Sequence, residues 1–407
     1  MNKTWKPVLW VLGRVLKPAE VHLFPPFRPL LRHFPLTCPG TPAGNFLAWN
    51  ENSAKSAFFR VFRHALVLCV LLLSACSAST EPSSQPAAAS SGGDEAANSS
   101  LTKVKIQLKW VPQAQFAGIY AAKEKGFFAE EGIDAEIIPG GPDIVIEQQV
   151  VNGAADVGIT GVDSLLVSRD NGLPLVSLAQ ISQKSSYRLI AKKSAGITSP
   201  AQMKGKKVST WFGSQQFQVL AFMEKNGLDP KKDINLVKQG FTMDQFFNDQ
   251  VDVATATIYN EYHVVLESGV KESDLDVFNI EDAGVGMLED TLIAKKDWVD
   301  SNHEMAVKVT RAILKGWNYA IDHQDETVDI VMSNVTEGST TREHQVTMLA
   351  EIAKLIRPEG FTEKQVGSFV DESFARTADI ALKYGLIKKE AKLDEALEKN
   401  VYEEAVK

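Results

Sequence analysis

From residue 102 onward, short apolar runs alternate with longer amphipathic ones. Val104–Leu108 alternates apolar and polar positions with a period of two, which predicts a half-buried strand. Ala114–Lys125 follows with helical spacing and stops at Gly126, a good C-cap residue. Ala135–Ile138 predicts a strand before the turn Pro139-Gly140-Gly141, Ile144–Val151 a helix, Ala155–Ile159 a strand and Val162–Ser168 a helix. Leu175–Gln180 and Tyr187–Ala191 read as strands. The pattern restarts after Met203-Lys204-Gly205-Lys206-Lys207, with strand Val208–Thr210, helix Ser214–Asn226 and strand Asn235–Val237. A helix start at Asp244–Asp249 and strands Val253–Ile258 and Leu292–Ala294 follow. Beyond Asp297 only helices are expected: Asn302–His323, Asp325–Asn334, Arg342–Leu355, Glu363–Glu372 and Asp379–Tyr384.

This βαβα order predicts an α/β fold of mostly parallel sheets covered by helices. Two lobes are expected. The first is discontinuous, 102–194 and 286–400, and the second, 195–285, is inserted into it. Two crossings between them, near Ala191–Gly196 and Gly284–Leu288, form the expected hinge.

Ligands of open α/β sheets sit beyond the carboxyl ends of the strands. Those ends carry Trp110, Phe116, Trp211, Phe212, Tyr259 and Tyr262, which stack on flat rings, and Gln113, Gln115, Gln183, Gln215, Asn260 and Glu261, which bond to ring nitrogens and carbonyls, with Tyr187 a further binding candidate. Thr160 and Gly213 lie in the same loops. Phe116 suits the core as well as a ligand wall, Tyr262 equally suits packing under its loop, and Glu261 equally suits a helix cap. Trp110 and Tyr259 each closely follow a strand and are the stronger candidates.

Upstream, Lys55, Arg60, Arg63 and His64 precede the apolar run Ala65–Cys76, which is short for a membrane span and ends Leu73-Ser74-Ala75-Cys76. That ending resembles the bacterial lipobox, whose cysteine is lipidated on sulfur and becomes the mature N-terminus. Residues 55–76 are therefore expected to be a lipoprotein signal, with Cys76 the lipidation site. Residues 77–101, rich in Ser, Ala, Gly and Pro, are expected to be a flexible tether. Residues 1–54 do not fit this scheme, and translation is expected to start near residues 47–61.

Charge narrows the partners. Positions 1–75 hold nine basic and two acidic residues of the chain's 43 and 51, so the remainder carries 34 basic against 49 acidic, a formal charge of −15. A surface that acidic disfavours nucleic acid. The three cysteines, Cys38, Cys69 and Cys76, all precede the body, which excludes disulfides and thiolate metal sites from it. No G-x-G-x-x-G, Walker A sequence or nucleophile elbow is present, and His263, His303, His323 and His344 lack metal spacing. Adjacent acids such as Glu289 and Asp290 are expected on solvated surface. No catalytic role and no cofactor or metal are expected.

The run Leu108-Lys109-Trp110, Gln113–Tyr120, Ala122–Phe128 and Glu131-Gly132-Ile133 resembles the SsuA/THI5-like (NMT1-like) family. So do Pro139-Gly140-Gly141, Gly153–Gly158, Ile197, Met203–Val208 and Tyr259-Asn260-Glu261, and the likeness covers most of 102–300. The resemblance implies a two-lobe, type 2 periplasmic-binding-protein fold serving an ABC importer. Its partners would be permease and ATPase subunits, with a monomeric body held outside the cytoplasm by a lipid anchor. Fungal members with a CCCFC motif make the thiamine pyrimidine, but no cysteine follows Cys76 here. A planar heterocycle is expected, first a thiamine-type pyrimidine precursor with Glu261 accepting from its amino group. Riboflavin, a sulfonate or nitrate, and a synthase-like activity are the alternatives, in that order. An anion would need cations and helix starts such as Gly161–Ser164 and Gly213–Gln216, with Lys184 and Arg188 the nearest charges.

Overall fold

The computed structural model describes residues 101–407 apart from Ser214. The expected lipoprotein signal with Cys76, the expected tether up to residue 100 and the translation start expected near 47–61 lie outside the described residues.

Among the described residues, ten strands form two sheets of five. The first contains β1 (Thr102–Gln107), β2 (Ile133–Ile138), β3 (Val157–Gly161), β4 (Leu175–Gln180) and β10 (Asp290–Lys295), in the order β2-β1-β3-β10-β4. The second contains β5 (Tyr187–Lys192), β6 (Lys207–Thr210), β7 (Asn235–Lys238), β8 (Val253–Thr257) and β9 (Leu275–Asn279), in the order β7-β6-β8-β5-β9. The two orders correspond strand for strand. In each sheet one strand runs against its neighbours: β10 is antiparallel to β3 and β4, and β5 is antiparallel to β8 and β9. Each reversed strand is the one that has just arrived from the other sheet.

That reversal moves the expected boundaries. Tyr187–Lys192, expected in the first lobe, belongs to the second sheet, so the first crossing runs through 181–186 and not through Ala191–Gly196. The second crossing lies between Asn279 and Asp290. Strand β9 has no counterpart among the sequence expectations: its five residues, LDVFN, are half exposed and alternate weakly. The helix expected over Glu363–Glu372 is instead a short 3₁₀ turn, Glu363–Gln365. Gly367 interrupts it at φ +87°, and its carbonyl accepts from Gln180 N at 2.9 Å, extending the edge of β4.

The helices used below are α1 (Ala117–Glu124), α2 (Ile146–Val151), α3 (Val162–Asp170), α4 (Gln216–Lys225), α5 (Glu261–Glu267), α6 (His303–Asp322), α7 (Gln324–Met332), α8 (Arg342–Ile356) and α9 (Asp371–Lys383). Helices α1, α6, α7 and α8 pack on the first sheet around Phe116, Ile119, Trp317, Val328, Met348 and Ile352. Gly118 and Gly316 let α1 and α6 nearly touch. A Cβ at Gly316 would stand 2.0 Å from the Gly118 carbonyl oxygen, and one at Gly118 would stand 2.3 Å from the Trp317 ring. The second sheet packs on α4 through Val219, Phe222 and Met223, and its other face on α5 through Tyr262 and Val265. Helix α9 braces the second crossing: Arg376 Nε donates to the Gly286 carbonyl at 2.8 Å, and Thr377 Oγ1 accepts from Leu288 N at 3.0 Å.

Candidate functional site

Because β5 and β10 are reversed, they begin where their neighbours end. Register places Tyr187 opposite Thr257 and Asp290 opposite Gly161. Both crossings therefore deliver their residues to the carboxyl ends of the sheets, beside the turn that follows β1.

That turn is fixed by its own backbone. Gly140 N donates to the Trp110 carbonyl at 2.9 Å, and a Cβ at Gly140 would meet the Leu108 carbonyl oxygen at 2.1 Å, so only glycine permits the approach. Gln113 Nε2 donates to Gln115 Oε1 at 2.8 Å, and Gln115 Nε2 to Asp290 Oδ2 at 2.9 Å. Asp290 also pairs with the Lys109 ammonium. Gln115, Asp290 and Glu289 are 3 %, 4 % and 6 % exposed. The expectation that Glu289 and Asp290 form solvated surface is thus incorrect: both are buried, Asp290 as the first residue of β10 and Glu289 just before it.

Glu289 ties the two crossings together. Its carboxylate accepts from Ser186 N at 2.7 Å, from Ser186 Oγ at 2.8 Å and from Ser185 Oγ at 3.3 Å. Burial pushes its pKa up to about 7, against the lowering effect of Lys109 and the Ser186 bonds, with Asp290 adding to the rise. For Lys109 burial works against the charge, but Asp290 and Glu289 outweigh it and the ammonium is held more firmly than usual. Burial, with Glu289 among the neighbouring charges, raises the Tyr187 and Tyr259 phenols well above their ordinary range, so both are neutral.

The remaining candidates divide. Trp110 stacks on Phe241, with centroids 5.7 Å apart and planes at 18°. Phe241 stands in the loop after β7 and is 67 % exposed, so this stack joins the two lobes. Tyr259 follows β8 yet packs into the hydrophobic cluster of the first sheet. Tyr187 meets Trp211 edge to face at 5.8 Å, and Trp211 Nε1 donates to the Gly240 carbonyl at 3.1 Å. Gly213 has φ +122° in the loop after β6. Phe116 is 1 % exposed within the first core, which makes it packing and not a ligand wall. Gln183 Nε2 is spent on the carbonyls of Gln180 and Ser368, at 2.7 and 3.1 Å. Thr160 Oγ1 donates to Glu147 of α2. Glu261 Oε2 accepts from Thr257 N at 3.0 Å and from its hydroxyl, so it ties the start of α5 to the end of β8, while Oε1 accepts from Asn260 Nδ2 at 2.9 Å. Tyr262 OH donates to Glu272 at 3.1 Å beneath its own loop.

Sequence reasoning missed Lys109, Phe241, Glu289, Asp290 and His344. Lys109 was visible beside Trp110. Glu289 and Asp290 would have surfaced had the strand after the second crossing been read as antiparallel. Phe241 lies in a loop with no periodic signal.

Of the two cations expected to cradle an anion, Arg188 is engaged by backbone carbonyls. Arg188 Nη1 donates to the Tyr187 carbonyl at 2.9 Å. At the start of α3, Asp163 Oδ1 already accepts from Ser164 N at 2.7 Å, placing a carboxylate where an anion would sit. A separate open groove of about 900 Å³ borders Arg169, Pro174, Lys296, Asp371, Glu395 and Lys399 at the opposite, amino end of β4. Its charges pair among themselves, Lys399 with Asp371 at 2.6 Å and Arg169 with Glu395 at 3.9 Å, so the strand-end cluster is the better candidate.

Known proteins resemble this chain. The formylaminopyrimidine-binding protein of Halalkalibacterium halodurans is 26% identical over 279 residues, 68% of this chain and 79% of that protein. The riboflavin-binding protein RibY of Chloroflexus aurantiacus is 28% identical over 285 residues, 67% of this chain and 77% of its own length. A sulfonate-binding protein SsuA structure from Methylobacillus flagellatus superposes with TM-score 0.57 at 19% identity, over 75% of this chain and 94% of that one, a likeness of fold. The NMT1/THI5-like family matches residues 113–327, more than half the chain. With its two lobes and its residues gathered at the strand ends, the chain belongs to the NMT1/THI5-like family and is a solute-binding component of an ABC importer.

Proposed function

We propose that this importer component captures a neutral or cationic planar nitrogen heterocycle of the aminopyrimidine or flavin type. One observation carries this reading: the buried carboxylates of Glu289 and Asp290 gather at the strand ends beside the Lys109 ammonium, so the site disfavours anions and suits a neutral or cationic ring. Trp110 and Phe241 supply the aromatic faces. Relatives named for a formylaminopyrimidine and for riboflavin match at similar identity, so likeness does not choose between these rings. Calorimetry with riboflavin, 4-amino-5-hydroxymethyl-2-methylpyrimidine, ethanesulfonate and nitrate tests the class. At least one heterocycle should bind, and Trp110→Ala or Phe241→Ala should weaken it by roughly 1–3 kcal/mol if the rings stack directly. Binding of nitrate or ethanesulfonate with no heterocycle bound would sink the proposal.

Capture for import needs the protein to stay at the membrane beside a permease and its ATPase. We propose that Cys76 provides the anchor, on the strength of Leu73–Cys76 and the soft segment after it. Cell fractionation should find Cys76→Ser released from the membrane. A variant that stays as firmly bound as the parent would show that the apolar run alone anchors it.

A further inference from the structure

The first turn of α8 reaches toward both lobes. Thr341 caps it, its Oγ1 accepting from His344 N at 3.2 Å. Gln345 turns to the first lobe, where its Oε1 accepts from Ala114 N at 2.6 Å in the turn between Trp110 and α1. Its neighbour His344, 7 % exposed, turns to the second lobe. The ring Nδ1 lies 2.9 and 3.0 Å from the two carboxylate oxygens of Glu267, and Nε2 lies 2.9 Å from Asn260 Oδ1. The Asn260 amide is oriented from its other side, because its Nδ2 donates to Glu261 Oε1 at 2.9 Å. Its oxygen therefore faces the ring, so Nε2 donates to it, and the Glu267 carboxylate faces the opposite nitrogen. Helix α8 is rooted in the first core through Met348, Leu349, Ile352 and Leu355, whereas Asn260, Glu261 and Glu267 ride on the second lobe.

We propose that His344 is a positioning residue for the ligand site: from the first lobe it fixes Asn260, and through it Glu261, only when α8 lies against α5. The Asn260–Glu261 pair is then held in place by a residue of the opposite lobe, in the ligand-free protein as well as the liganded one. That these two residues meet the ligand rests on the heterocycle reading above, but the interlobe pin itself does not. The charged groups around the ring are Glu267 and His263 on α5, with Glu351 and Lys354 of α8 also acting on His263.

The test uses the full chain, with His344→Ala, His344→Gln and wild type compared. Amide hydrogen exchange without any ligand reads the pin directly. In His344→Ala, exchange over 260–267 and 342–349 should rise at least tenfold while the β1–β3 amides keep their protection. His344→Gln should recover part of that protection, because its side-chain NH₂ can still donate to Asn260 Oδ1. Calorimetry with riboflavin and 4-amino-5-hydroxymethyl-2-methylpyrimidine should show the same order, with at least tenfold weaker binding in His344→Ala. Unchanged exchange in both segments overturns the proposal. So does a general loss of protection that the Gln variant does not recover, which would make His344 ordinary packing. If wild type binds neither ring, the heterocycle reading fails, and the exchange comparison still decides the pin.

Discussion

Replacing Asp290 with Ala should destabilise the folded body by about 3–5 kcal/mol, the cost of leaving one member of a buried ion pair alone. Lys109 has no comparable way out. Its side chain is 17 % exposed, its neighbour Gln115 presents an Nε2 to the same carboxylate, and both would lose their acceptor together. Urea unfolding at neutral pH reads the loss as a fall in midpoint with an unchanged slope. The double variant Lys109→Met with Asp290→Leu should recover most of it, because apolar side chains of similar size remove the charge and its desolvation cost together. A loss under about 1 kcal/mol in the single variant would mean that Glu289 takes over as partner, and that the pair is not fixed by its geometry.

Glu289 sets a second large effect, in the pH dependence of stability. Its carboxyl is raised from 4.5 to about 7 in the folded protein, chiefly by burial. Between those values the folded state holds a proton that the unfolded state has released, so stability falls as pH rises from 4.5 to about 7 and levels off beyond. The full span corresponds to about 3 kcal/mol for this group. Glu289→Gln cannot titrate and should flatten that part of the profile, leaving the variant less sensitive to pH than the parent between pH 4.5 and 7. Equal slopes in parent and variant would show that the Ser185 and Ser186 bonds hold Glu289 ionised throughout.

Most strands and helices were legible in the sequence because period-two and period-3.6 patterns survive wherever one face is buried. The strands Leu175–Gln180 and Tyr187–Lys192 fall almost where expected, and α8 matches to one residue. What the pattern does not encode is direction. Val253–Thr257 and Asp290–Lys295 look alike as apolar runs, yet one ends at the cleft and the other begins there. Every site residue missed along a strand, Glu289 and Asp290 above all, follows from that ambiguity. The aromatic candidates fared unevenly for a related reason. Trp110 and Phe116 both flank the same turn, but only a three-dimensional core decides that one ring remains at the mouth while the other is enclosed. Glu261 illustrates the limit for polar residues, since its carboxylate is already engaged by Thr257 at the end of β8.

The exchange of one strand between sheets also governs the order in which the protein can be completed. The second sheet draws all its strands from one continuous stretch, Tyr187 to Asn279. The first sheet cannot join β3 to β4 until β10 slots between them, and the pairing of Gly161 with Asp290 closes a loop of 129 residues. The entropy of such a closure grows only with the logarithm of its length, so the arrangement costs little in final stability. Its cost falls on time, because contacts so distant along the chain form late. A polypeptide emerging from its amino end therefore carries a gapped first sheet, with β3 and β4 unpaired along facing edges, until nearly three quarters of its length has appeared.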